Sequence, residues 1–133
     1  MSRKRIIVTG HQGYIGIHLV KLLSEAGYYV LGIDTDYFGK DCEFYEPNIQ
    51  ISELRRDIRQ IIEKDIEGAY AICHLAGLSN DPVGELNPDL TYEINYRASA
   101  RLAQMAKNVG VERFIFSSSC SMYGNAGGRK ALD

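Results

Sequence analysis

The chain has 133 residues, 45% of them apolar, and a formal net charge of −2, which suits one domain with a buried core and excludes a polyanion such as nucleic acid as the expected partner. No stretch approaches the roughly eighteen apolar residues of a membrane helix, and Met1 to Arg5 is basic with no apolar signal core behind it. A soluble, cytoplasmic protein with no membrane partner is therefore expected.

Arg5 to Thr9 (R-I-I-V-T) is a β-branched run that predicts a buried strand, followed at once by Gly10, Gly13 and Gly16. Strand, glycine turn and helix in that order outline a dinucleotide site. Gly10 would allow the tight turn, Gly13 would let backbone approach a pyrophosphate, and Gly16 would let helix and strand pack closely. The spacing G-x-x-G-x-x-G is one residue longer than the common fingerprint, so by itself it also fits any glycine turn between a strand and a helix. The helix is predicted over Tyr14 to Ala26, with Ile15, Leu19, Leu22, Leu23 and Ala26 on the buried face and Gly27 stopping it. A second strand, Tyr29 to Ile33, runs into Asp34, whose carboxylate could accept from a ribose 2′-hydroxyl and would repel a 2′-phosphate. That favours NAD over NADP. His11, in the glycine turn, is a weak counter-indication, since arginine is the usual partner for phosphate.

Thr35 to Pro47 is expected to be a connection, with Asp36, Asp41 and Glu43 solvated rather than holding a metal. Ile51 to Asp57 fits strand or helix, and the alternation of elements favours a short strand before Asp57. Ile58, Ile61 and Ile62 then suggest a short helix. Ala69 to Leu75 is a buried strand closed by Ala76-Gly77. A helix over Pro88 to Val109 carries Leu90, Ile94, Ala98, Leu102, Met105 and Val109, with Gly110 ending it. Arg113 to Ser117 is the last strand and leads into S-S-S-C-S-M-Y-G at Ser117 to Gly124. Repeated strand and helix predict an α/β fold, a Rossmann-type doubly wound parallel sheet of about five strands in the order 3-2-1-4-5. His18 and His74 are expected to serve packing or local hydrogen bonding. Cys42, Cys73 and Cys120 are odd in number and unclustered, which predicts neither disulfides nor a metal site.

Several of these motifs together resemble one family. T-G-H-Q-G-Y-I-G at Thr9 to Gly16, Asp34, R-D-I at Arg56 to Ile58, H-L-A-G at His74 to Gly77, Asn95 and the serine motif at Ser117 to Gly124 follow one another as in the extended short-chain dehydrogenase/reductases. The nearest likeness is to the N-terminal portion of the NAD-dependent nucleotide-sugar epimerase/dehydratase group, of the UDP-glucose 4-epimerase type. The resemblance implies NAD as cofactor and a nucleotide-sugar as substrate. It further implies that Gly10, Gly13, Tyr14, Ile15 and Gly16 wrap the pyrophosphate, that Asp34 holds the adenosine ribose, and that Asp57 and Ile58 border the adenine. Leu75, Ala76 and Gly77 would line the cofactor's middle near Asn95, Ser117 and Ser118 would border the nicotinamide, and Ser119 would be the catalytic hydroxyl beside the sugar carbon that gives up hydride. Without the family, a serine run at a strand end is more often a polar turn.

One departure stands out. The family's base is a tyrosine with lysine four residues on, and none of the nine tyrosines here has that partner. A chain of 133 residues also lacks the substrate lobe that the resemblance places further along, so an incomplete NAD-binding domain over residues 1–133, inactive alone, is expected. The alternative is a non-catalytic dinucleotide-binding module or an inactive fragment. Cys120 and Ser121 stand where a dehydratase would carry acids, which favours epimerase-like chemistry. The outer strand Arg113 to Ser117, apolar on both faces, predicts a homo-oligomer formed through that strand or through the Pro88 to Val109 helix.

Overall fold

A computed structural model of the chain describes residues 2–37, 49–78 and 86–119. Five short strands, β1 (Arg5–Thr9), β2 (Tyr29–Asp34), β3 (Ser52–Arg55), β4 (Ala71–His74) and β5 (Arg113–Phe116), form one parallel sheet in the order β3-β2-β1-β4-β5. The predicted doubly wound order is the one observed. All strand C-termini therefore open on one edge, where such folds bind ligands.

Alternation along each strand sends side chains to two cores, one on each face of the sheet. Ile6, Val8, Val30, Ala71 and Cys73 face helix α1 (Tyr14–Glu25). Ile7, Leu31, Ile33 and Ile72 face the other helical layer, where Ala98, Leu102, Met105 and Ala106 pack with Ile58, Ile61 and Ile66. Side chains as fully enclosed as Leu102 and Ile72 each contribute about 1.5–3 kcal/mol of burial.

The buried face of α1 differs from the expected stripe. Gly16 and Val20 are buried, with Leu19 and Leu23 beside them, while Ile15 and Leu22 are 60% and 63% exposed and Ala26 lies outside the helix on the surface. The cause is the close contact at Gly16: that glycine lies on the turn at Gly10 and His11, so the inward row is 16, 20 and 23, and positions 15, 22 and 26 are turned away.

The segment after β3 is also subdivided. Ile58–Gln60 makes a 3₁₀ turn and Glu63–Ile66 a single-turn helix, α2, with the fully buried Ile61 in extended backbone between them. The Asp65 carboxylate accepts from the Ile62 N–H at 2.9 Å and pairs with Arg56, which fixes the start of α2.

The predicted helix over 88–109 is one continuous helix with a wide turn inside it. Helical turns α3 (Pro88–Tyr92) and α4 (Ser99–Asn108) are joined by a π-helical segment, Glu93–Ala98. Asn87 caps its start by accepting from the Leu90 N–H at 3.1 Å. Such single π turns recur at functional sites. Among the described residues no helix is long and apolar enough to cross a membrane.

Candidate functional site

At the C-terminal edge of the sheet, the turn after β1 is built by backbone contact. The Gly10 N–H donates to the Ile33 carbonyl at 2.8 Å, and Gly10 has φ +71°, which strains any other residue. A Cβ on Gly10 would come 2.8 Å from the Ala76 nitrogen, and one on Gly16 would overlap the Gly10 carbonyl and the His11 backbone. Gly13 is different: a Cβ there would meet nothing but the Gly10 carbonyl, at 3.3 Å, so the space before it is open. Gly13 is the N-cap of α1 and no side chain caps that helix. The amides of the first turn and the positive dipole end thus face an open space whose sign suits an anion such as a pyrophosphate. Tyr14 and Ile15 are largely exposed beside it.

Asp34 closes the turn from the β2 side. One carboxylate oxygen accepts from the Gln12 N–H at 3.1 Å and the other from the N–H groups of Thr35 and Asp36 at 2.8 and 3.3 Å. A pocket of about 100 Å³, lined by Gln12, Asp34, Asp36, Glu53 and Arg55 among others, lies alongside.

His11 does not face that open space. Its ring is buried, lies over Gly32 of β2 where no Cβ could fit, and bonds through Nε2 to the Glu53 carboxylate on β3 at 2.8 Å. Although His11 lines the pocket beside Asp34, its Nε2 is taken up by the Glu53 carboxylate, so it gives no support for a 2′-phosphate. Asp36 is partly buried, 4.0 Å from Arg55, while Asp41 and Glu43 lie outside the described residues.

Asp57 begins the 3₁₀ turn after β3. It accepts from the Arg59 N–H at 2.8 Å and meets the Arg59 guanidinium at 2.7 and 3.1 Å, and that contact holds its carboxyl below the usual range. The side chain of Ile58 is in the core, so its backbone is what the edge presents.

The stretch after β4 is held from both sides. The Leu75 N–H donates to the Thr9 carbonyl at 3.1 Å and the Ala76 N–H to Thr9 Oγ1 at 3.3 Å. From the π segment, Asn95 Oδ1 accepts from the Leu78 N–H at 2.7 Å and Asn95 Nδ2 donates to the Leu78 carbonyl at 2.8 Å. A Cβ on Gly77 would lie 3.1 Å from Asn95 Oδ1, so a larger residue there would press on the Asn95 side chain. Beneath this stretch His74 bonds Thr9 Oγ1 through Nδ1 at 2.6 Å and Ser99 Oγ through Nε2 at 2.7 Å. The local hydrogen bonding expected of His74 is present, and burial pushes its pKa down to about 4.

Ser117 continues from β5, its N–H donating to the His74 carbonyl at 3.1 Å, and Ser118 and Ser119 follow on the exposed edge. Cys120 to Gly124 lie outside the described residues. Glycine turn, Asp34, Asp57, the Leu75–Gly77 stretch, Asn95 and the serines are therefore all on one edge of one sheet. Sequence reasoning missed Thr9 and Ser99 as partners of His74, and Glu53 as the partner of His11. Among the described residues no group of three or more His, Cys, Asp or Glu could hold a metal.

A model of the NAD dependent epimerase/dehydratase family matches residues 6–132. The chain is 32% identical over 136 residues to the human UDP-glucose 4-epimerase, covering 92% of this chain and 39% of that protein. It is 31% identical over 137 residues to the enzyme of the same name from Neisseria meningitidis serogroup C, with 93% and 39% covered. The chain thus spans about two fifths of the length of the curated relatives it matches. Among solved structures, a UDP-N-acetylglucosamine 4-epimerase from Methanobrevibacter ruminantium M1, in complex with UDP-N-acetylmuramic acid, superposes with a TM-score of 0.87 at 28% identity, over 100% of this chain and 43% of that one. MoeE5 in complex with UDP-glucose and NAD matches with a TM-score of 0.78 at 30% identity, over 93% and 39%.

Proposed function

The chain belongs to the NAD dependent epimerase/dehydratase family, and on that premise we propose that it supplies the NAD-holding part of a nucleotide-sugar epimerase or dehydratase. The observation that carries this reading is the uncapped N-terminus of α1 set beside Asp34 at the end of β2. The relatives solved with NAD and a UDP-sugar support it.

Bound NAD supplies a hydride acceptor for turning a sugar hydroxyl into a transient ketone. The chain's own residues do the rest of what is assigned here. The amides behind Gly13, with Gly10, Gly16, Tyr14 and Ile15 shaping the turn, hold the pyrophosphate. Asp34 accepts from the adenosine ribose and repels a 2′-phosphate. Asp57 and the Ile58 backbone border the adenine. Leu75, Ala76 and Gly77, braced by Asn95, run along the cofactor's middle, Ser117 and Ser118 border the nicotinamide, and Ser119 orients the reacting sugar hydroxyl.

Calorimetry tests the cofactor assignment. NAD is expected to bind more tightly than NADP, and Asp34→Ala to narrow the difference by about tenfold, the worth of one lost charge-assisted contact. Tighter binding of NADP than NAD by the unaltered chain would overturn it.

Homo-oligomerisation belongs to the same proposal. Ile115 and Phe116 of the outer strand β5 are each 54% exposed, an apolar edge that invites pairing. Light scattering over a dilution series should give a mass that falls with concentration. A constant monomer mass would refute it.

A further inference from the structure

The chain of contacts through His74 closes into a ring around the stretch 75–78. From Nδ1 it passes to Thr9 Oγ1, which receives the Ala76 N–H. From Nε2 it passes to Ser99 Oγ, whose hydroxyl donates to the Ile94 carbonyl at 3.5 Å, one residue before Asn95. Asn95 then returns to Leu78 through two hydrogen bonds.

The donors in this ring can be assigned. A neutral imidazole has one N–H. With that proton on Nε2, His74 donates to Ser99 Oγ and accepts the Thr9 hydroxyl at Nδ1, so both hydroxyl hydrogens have acceptors. With it on Nδ1, the Thr9 oxygen would receive two donors and its own hydrogen would have no acceptor among these contacts. Burial, with Phe114 and Phe116 rings 6.0 and 5.8 Å away, keeps the ring neutral.

We infer that His74, as the neutral Nε2–H tautomer, is a positioning residue that fixes the π segment against the end of β1, so that Asn95 holds the stretch 75–78 in place for the cofactor. A π turn carries one residue more than an α turn, and relaxing it would swing Asn95 around the helix and away from Leu78. The effect on cofactor rests on the function proposed above. The effect on Leu78 does not.

Two measurements keep the readings separate. In the ligand-free chain, the nitrogen spectrum should show His74 protonated at Nε2 alone. His74→Leu should speed exchange of the Leu78 amide about tenfold or more relative to the core amide of Val8, as expected when the two Asn95–Leu78 hydrogen bonds are lost. In calorimetry, ADP tests the glycine turn and Asp34 alone, while NAD tests the whole edge. His74→Leu should weaken NAD about tenfold and ADP less than about twofold, and His74→Gln, which can still accept at one atom and donate at another, should recover most of the loss. Should His74→Leu not fold, Ser99→Ala breaks the same ring on the Asn95 side and is expected to move Leu78 exchange in the same direction. The inference is overturned if Leu78 exchange keeps pace with Val8 in the variants, or if NAD and ADP weaken equally. If the unaltered chain binds neither nucleotide, the functional proposal fails, and Leu78 exchange alone decides the role of His74.

Discussion

The ligand edge brings chain segments together in two different ways. After β1, backbone lies directly on backbone, at Gly10 against Ala76 and at Gly16 against Gly10 and His11, with the Asp34 carboxylate accepting from the Gln12 N–H beside it. After β4, the segments are joined by side chains, with Thr9, His74, Ser99 and Asn95 bridging β1, β4 and the π segment. The first closure leaves no room for a Cβ at Gly10 or Gly16. The second depends on each polar atom having its partner and on His74 staying neutral. The contrast between the two predicts how each should fail.

The largest effect is expected where backbone meets backbone. Gly16→Val puts a branched side chain into atoms of Gly10 and His11 that cannot move without displacing the turn, and should cost about 3 kcal/mol or more in urea unfolding. The gain in helix propensity over glycine, less than about 1 kcal/mol, does not offset that. A variant as stable as the parent would show that the turn is softer than the contacts imply.

The side-chain closure should instead show itself in pH dependence. The His74 pKa, near 6.5 in the unfolded chain, is about 4 in the folded one. As pH falls, the unfolded state therefore takes up the proton first, and the folded state does not follow until about pH 4. Stability attributable to neutral His74 is fully present above pH 6.5 and is lost as pH drops toward 4. Between pH 7 and 5 the loss should be about 2 kcal/mol, read as the difference between the parent and His74→Gln in parallel unfolding curves. Curves that stay parallel across that interval would remove protonation as a weakness of this region and bring the two closures closer in kind.

The same contrast explains what could be read from sequence. Glycine turns announce themselves: Gly10, Gly13 and Gly16 follow a β-branched run, and the strands, their order and Asp34 at the end of β2 followed from that framework. The inward face of α1 did not, because Ile15 and Leu22 complete a plausible apolar stripe and only the three-dimensional crossing at Gly16 turns them outward. Thr9, His74 and Ser99 are 65 and 25 residues apart in successive steps, and no local pattern links them. The π segment did leave a trace. Leu90, Ile94, Ala98 and Leu102 are spaced by four throughout, wider than the 3.6 of a regular helix, and a turn with an extra residue keeps such a row on one face. Ser52–Arg55, with Leu54 its sole apolar residue, is too polar and short to declare itself by composition, and only the alternation of strand and helix pointed to a short strand before Asp57.

His11 supplies the finest test, because it lies in the glycine turn yet carries a polar contact like those of the other region. Its ring is enclosed, but its partner Glu53 is 46% exposed, and the small pocket beside Asp34 reaches both residues. Water can therefore replace the carboxylate at Nε2 when Glu53 is removed. Glu53→Ala should cost no more than about 1 kcal/mol, and Glu53→Gln, which keeps an acceptor at the same place, still less. Gly32→Ala is the sharper probe of the same contact, since its Cβ would strike the imidazole itself and should cost more than either change at Glu53. If Glu53→Ala proves the costliest of the three, the glycine turn is held by its side chains after all, and the division between the two closures does not stand.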